Sequence, residues 1–223
     1  MSIRQDYILR MFQDMTIFMT RVVQMRKEQR DEDALLLLVD ESAKITGIPP
    51  SLIYALSDED LIQTLQARGA LEAMRCYVLA ELFREEGSIY ADRGEQQEAL
   101  LRLSKGARLY AEALSRSDDD DALPSLVGAR SLLAVVHAAD LPFATAAMLV
   151  DELLRYEQFE LVDNLLFELQ DARDDPQMVR LVTDGYAAML QATDDQLIDA
   201  GLARDEIALA LAQASAANTT PTT

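Results

Sequence analysis

A glycine in the middle of a helix is the tightest constraint in this chain. The stretch EEGSIYADRGEQQEAL, residues 85–100, reads as a helix, a turn and a second helix, with Gly87 inside the first. An interior glycine costs about 1 kcal/mol relative to alanine, so a packing requirement has to offset it. Phe83, Gly87, Tyr90, Gly94, Ala99, Leu103 and Gly106 are spaced as two antiparallel helices in close contact require. Gly87 takes the crossing point, where a side chain would hold the helices apart, and the small Ala99 faces it. Tyr90 and Leu103 fill the groove above and below, and Gly94 makes the turn. The pattern predicts helices over residues 70–92 and 95–114.

The same periodicity runs through the rest of the chain. From residue 3 to about 30 the sequence reads as one long amphipathic helix of roughly 40 Å. Ile8, Met11, Met15, Phe18, Val22 and Met25 form a heptad-like seam along it, and Phe12, Met19 and Val23 widen that seam. So broad an apolar face is more than one neighbouring helix normally covers: either the helix lies along the body of the protein, or a second subunit buries part of it, which makes the six seam residues candidates for self-association as a homodimer. A second helix over 32–45 stops at Gly47, and Pro50 opens a short helix to residue 56. Ser57 with an acid three residues on caps a helix that ends at Gly69. SRSDDDDALP, residues 115–124, breaks the pattern, because adjacent aspartates repel one another and form helix poorly. It separates an N-terminal helical region (1–117) from a C-terminal one (125–214), with residues 118–124 as an acidic linker. Helices are expected near 125–138, 142–156, 159–172, 176–192 and 204–214, with a short one opened by TDDQ. Residues 215–223 read as a disordered tail. No segment of useful length alternates with period two, so the fold class is all-α.

The Phe83–Gly106 spacing is that of a tetratricopeptide-like hairpin, with Ala111 where the closing proline is usual. A weaker echo at residues 153–169 places Phe159, Val162 and Leu166 comparably but lacks both glycines, so its crossing is expected to be looser. Two degenerate hairpins fall short of a regular array. The reading is an irregular α-solenoid or bundle of such pairs. IRQDYILRMF, DEDLIQTLQARG, LAELFREEGSIYADRGEQQEALLRL and TDDQLIDAGLARDEI also resemble an uncharacterised bacterial family. Its members share an acid–Tyr–hydrophobic–hydrophobic–Arg–Met start, a tetratricopeptide-like middle and an end of the form D-E-x-L-x-x-x-G-L-P-R-x-E. This chain departs from it at Ala203, where proline is expected, and at Asp199–Ala200. The resemblance implies an all-helical fold and assigns no activity.

Charge narrows the functional classes. The formal net charge is -19. Residues 1–117 hold 19 acids and 15 bases, net -4, and residues 118–223 hold 20 acids and 5 bases, net -15. Such a surface repels nucleic-acid backbones and anionic lipid, and it favours a basic or amphipathic protein or peptide partner. Without a long apolar run or a signal-peptide layout, a cytoplasmic location is expected. Catalytic constellations are sparse. His137 is the lone histidine and reads as a packing or capping residue, and Cys76, the lone cysteine, reads as a buried thiol. No metal site and no cofactor are expected, and the four aspartates lack the spacing of a calcium loop. The enzyme alternative is a Mg-dependent all-α phosphohydrolase using helical carboxylates, either Glu157, Glu160 and Asp163 or the cluster Glu81, Glu85 and Glu86. The preferred reading is a protein–protein interaction or scaffolding module with no catalytic residues. Its groove would be lined by Glu81, Arg84, Ser88 and Asp92 of the central hairpin.

Overall fold

The computed structural model describes residues 3–66, 72–118, 121–170 and 175–217. Among them every regular element is a helix. The chain divides into two compact units, Met1–Arg116 and Ser117–Thr223, next to the acidic stretch.

The first unit holds α1 (Ile3–Lys27), α2 (Asp31–Thr46), α3 (Pro50–Ile53), α4 (Asp58–Gln66), α5 (Glu72–Asp92) and α6 (Gln96–Ser115). Helix α5 is its centre, packed against α2, α4 and α6, while α1 packs on α2. Gly47 ends α2 in the left-handed conformation, with φ of 66°. Proline opens α3, and the Ser57 hydroxyl accepts from the Asp60 N–H at the start of α4. These residues act as expected, but the short helix ends at Ile53 rather than at residue 56, and the expected stop at Gly69 lies outside the described residues. The close crossing also follows the expected residues. A Cβ on Gly87 would lie 2.6 Å from Leu103 Cγ and 3.2 Å from the Ala99 carbonyl oxygen. The first distance is closer than real Cβ atoms approach and the second is unusually tight, and both atoms belong to α6.

The second unit holds α7 (Leu123–Leu133), a single 3-10 turn (Ala138–Asp140), α8 (Phe143–Arg155), α9 (Phe159–Leu169), α10 (Pro176–Met189), α11 (Asp194–Asp199) and α12 (Arg204–Ala217). Leu149, Val150, Leu153, Val162, Leu166 and Met189 are almost wholly enclosed in its core. Thr193 and Gln196 form a reciprocal capping box at α11. Two expectations are corrected here. The helix over 125–138 ends at Leu133, and His137 takes an extended conformation, its side chain accepting from the Ala139 N–H. The expected tail begins later, because α12 carries Ser215, Ala216 and Ala217 as helix. Residues 218–223 lie outside the described residues.

One turn recurs across both units. Gln29, Gly94 and Glu157 all take left-handed backbone, with φ of 59°, 77° and 54°. In each case the next N–H reaches back to a carbonyl in the last turn of the preceding helix: Arg30 to Met25, Glu95 to Tyr90 and Gln158 to Leu153, at 2.8–2.9 Å. That closure satisfies helix-end carbonyls and sends the chain straight into an antiparallel helix. Val22, Gly87 and Val150 precede the three turns in the same register. Ala34, Ala99 and Val162 follow them in register, as do Leu38, Leu103 and Leu166, and all nine are buried. Among the described residues three αα-hairpins therefore share both the turn and these buried positions, with glycine at the crossing confined to the central one, while Gly201 makes the same closure between α11 and α12 without them. In the second unit the close approach lies instead between α9 and α10. There a Cβ on Gly185 would meet Leu166 Cδ1 at 2.8 Å.

Gly87→Ala tests the crossing. The substitution raises helix propensity by about 1 kcal/mol, yet overpacking against Leu103 is expected to destabilise the chain by roughly 1–3 kcal/mol in urea unfolding. In a Leu103→Ala background the same change should become close to neutral. Equal penalties in both backgrounds would place the strain elsewhere.

Candidate functional site

Helix α5 is enclosed on most of its circumference. Cys76, Val78, Leu79, Ala80, Leu82, Phe83 and Ile89 are all buried. Its polar side chains therefore need partners within the protein. They find them in three clusters.

Glu81, Arg84 and Tyr110 make the first. Glu81 accepts from the Tyr110 hydroxyl at 2.7 Å and from Arg84 Nη2 at 2.8 Å. Burial, then the Glu81 charge, hold the Tyr110 hydroxyl well above its ordinary pKa. The second cluster joins two hairpins. Arg26 of α1 donates to Glu85 and Asp92, and its Nη2 lies 3.4 Å from Ser88 Oγ. The third is the most deeply placed. The Glu86 carboxylate is 1% exposed. It accepts from the Tyr54 hydroxyl at 2.9 Å and from Arg102 Nε at 3.3 Å. The Arg102 guanidinium stacks 4.1 Å from the Tyr54 ring centre and 5.2 Å from that of Tyr90. Beside it, Lys105 donates to the Leu56 carbonyl at 2.7 Å and to Asp58 at 3.2 Å. Desolvation pushes the Glu86 carboxyl up to about 7, against the opposing pull of Tyr54 and Arg102.

The four expected groove residues thus do not line one open surface. Glu81 and Arg84 belong to the Tyr110 cluster, whereas Ser88 and Asp92 face Arg26 of α1. Asp92 is the outermost, with a side chain 67% exposed, against 12% for Glu81 and 24% for Arg84. Of the α1 seam, Met15 and Val22 are buried within their own chain, and Phe18 and Met25 are half-buried. The side chains of Ile8 and Met11 lie outside the described part of the structure. Residues that sequence reasoning passed over, Arg26, Tyr54 and Arg102, hold the centre together with Glu86, which it reads only as part of a carboxylate cluster. A signal for one pair was present. If Gly87 faces Ala99 and Leu103, the neighbouring Glu86 and Arg102 are brought together by the same register.

The carboxylate ladder is also rearranged. Glu157 sits in the turn before α9 and accepts from Gln196 at 2.8 Å. Glu160 pairs with Arg130 at 2.9 Å, while Asp163, raised by burial, is hydrogen-bonded to Tyr186. Glu81, Glu85 and Glu86 likewise go to three different partners. Among the described residues no three-member group of His, Cys, Asp or Glu is placed to hold a metal ion. Nor is any helix among them long and apolar enough to cross a membrane. Cys76 is buried, as expected for a packing thiol.

A family model covers nearly the whole of this architecture, matching residues 2–218. The chain belongs to the DUF6483 family. That family is described as one of unknown function. No curated protein and no solved structure matches the chain.

The Glu86 cluster makes stability pH-dependent. Glu86 titrates near 7 in the folded chain and near 4.5 as an unperturbed carboxyl. Between those values the folded state holds the extra proton, so this group's stabilisation is largest at low pH and is lost as pH rises towards 7. Glu86→Gln cannot ionise and should lack the loss. Measured by urea unfolding, the variant should gain roughly 2 kcal/mol on wild type between pH 5.5 and 8. A difference that stays constant across that range would show that Glu86 titrates normally.

Proposed function

We propose that the chain is a protein–protein interaction or scaffolding module built from tetratricopeptide-like hairpins. The observation that supports this most is the way hairpin α1–α2 meets hairpin α5–α6. They share one turn geometry. Arg26 links the two first helices, and Arg93, just past the end of α5, reaches Glu32 of α2 at 2.6 Å. Stacked hairpins of this kind leave a face of their first helices to solvent, where helical-repeat proteins take peptides and helices. On this reading the outward rim of α5, with Asp92 outermost and Arg84 behind it, meets the partner. A cytoplasmic homodimer belongs to the same reading. Helix α1 has 25 residues against 16 in α2, so its N-terminal turns run past its hairpin partner, and Ile17 is 70% exposed.

Asp92→Lys is the sharpest test, because Asp92 is the most exposed of these residues and Arg26 keeps Glu85 as its more buried partner. Affinity capture from a lysate of the source cells, at low and high salt, should yield a reproducible partner. The variant should retain about tenfold less of it at unchanged circular dichroism. Recovery of the bait alone would remove the module reading.

A further inference from the structure

The second unit carries an apolar strip that its own core does not use. Helix α7 buries Ser125, Gly128, Ala129 and Leu132 on one side. On the opposite side Leu123 and Val127 are 66% and 58% exposed, and Val135, just past the helix end, is 64% exposed. A helix with two apolar sides buries one and leaves the other for something else. Two links then show what lies beside it. Arg130 of α7 pairs with Glu160 at the start of α9 at 2.9 Å, and the Ala138 N–H donates to Glu168 near the end of α9 at 2.7 Å. Both links advance together along the chain, so α9 runs beside the last turn of α7 and the 3-10 turn, in the same direction. Phe167, 71% exposed, lies on α9 between the two links. Val135 and Phe167 fall beside this contact, and Leu123 and Val127 extend the exposed apolar surface along α7 beyond the start of α9; these four residues make up the strip.

We propose that this strip docks a basic amphipathic helix of a partner protein. The inference rests on the interaction-module reading and supplies a second surface and a partner chemistry for it. Charge selects the occupant. Residues 118–223 hold 20 acids against 5 bases. Three of those bases are already paired within the unit: Arg130 with Glu160, Arg155 with Glu152 and Arg204 with Asp194. Exposed Asp118 and Asp121 stand before the N-terminal end of the strip, and exposed Asp140 stands near its other end. A helix with a leucine-type face and flanking lysines or arginines fills the strip and meets the carboxylates. Nucleic acid and anionic lipid are repelled by the same carboxylates, and a second copy of this acidic unit would bring like charges together.

The probe is a synthetic peptide of leucine and lysine, about 18 residues long and patterned so that the leucines share one helical face. A control peptide has the same composition in a non-amphipathic order. Titrated against the full chain, the patterned peptide should bind and should weaken as salt is raised. Val127→Asp and Phe167→Asp, exposed sites whose substitution leaves the circular dichroism unchanged, should each weaken binding about tenfold. Equal binding of the control peptide, or undiminished binding by both variants, would reduce the effect to bulk charge and overturn the proposal. So would sedimentation showing a wild-type dimer that Val127→Asp converts to monomer, since the occupant would then be a second copy. A lysate partner held equally by wild type and both variants would overturn the strip and leave the module reading standing. Loss of every lysate partner at Asp92→Lys alone would likewise assign binding to α5.

Discussion

The contact between Gly87 and Leu103 sets the geometry of the N-terminal unit. Because α5 carries no side chain at that point, α6 approaches until Leu103 and the Ala99 carbonyl occupy the space a Cβ would need. Once the helices are that close, the positions beside the crossing have no route to water. Glu86 and Arg102, each adjacent in sequence to a contact residue, are carried inside with them. The pairing of a carboxylate with a guanidinium follows from a packing event, and Tyr54 and Tyr90 complete the enclosure.

A cluster of this kind adds little net stability. Removing both charges from water costs several kcal/mol per ion, and the pair recovers that only with good geometry and full hydrogen bonding. Its effect is on specificity. Glu86, Arg102 and Lys105 tie α6 to α5, to Tyr54 and to the Leu56–Asp58 segment, so a slipped register would strand buried charge. The Arg26 cluster does the same at the junction of the two hairpins, nearer the surface. Helix α5 is thus held on three sides by polar contacts that have one correct arrangement.

The second unit reaches comparable packing by another route. Its hairpin α8–α9 keeps the shared turn but has Val150 and Val162 at the crossing positions, and the close approach moves to Gly185 against Leu166. Sequence reading found the turn at Gly94 and the crossing at Gly87 because glycine announces both. It did not find the same turn at Gln29 and Glu157, where ordinary residues accept left-handed backbone because the surrounding helices require it. Gly185 escaped for a related reason: its partner helix is not its hairpin neighbour in the echo that the pattern suggested. Glu157, Glu160 and Asp163 show the limit of periodicity. Their spacing fits one helical face, but the helix begins after Glu157.

What the sequence by itself determined is local: the all-helical class, the stops at Gly47 and Gly94, the caps at Ser57 and Thr193, the tight α5–α6 crossing and the division near the run of aspartates. Each follows from backbone freedom, hydrogen-bonding chemistry or short-range periodicity, which act over a few residues. The tertiary structure decided which polar residues became partners. Arg26 reaches α5, Tyr54 reaches Glu86, and Met15 and Val22 turn inwards, because non-neighbouring helices meet there and buried charge must be matched by whatever group the fold brings near. The strip of Leu123, Val127, Val135 and Phe167 belongs to the same category. Its residues are ordinary core types, and only the tertiary structure shows that they stay outside.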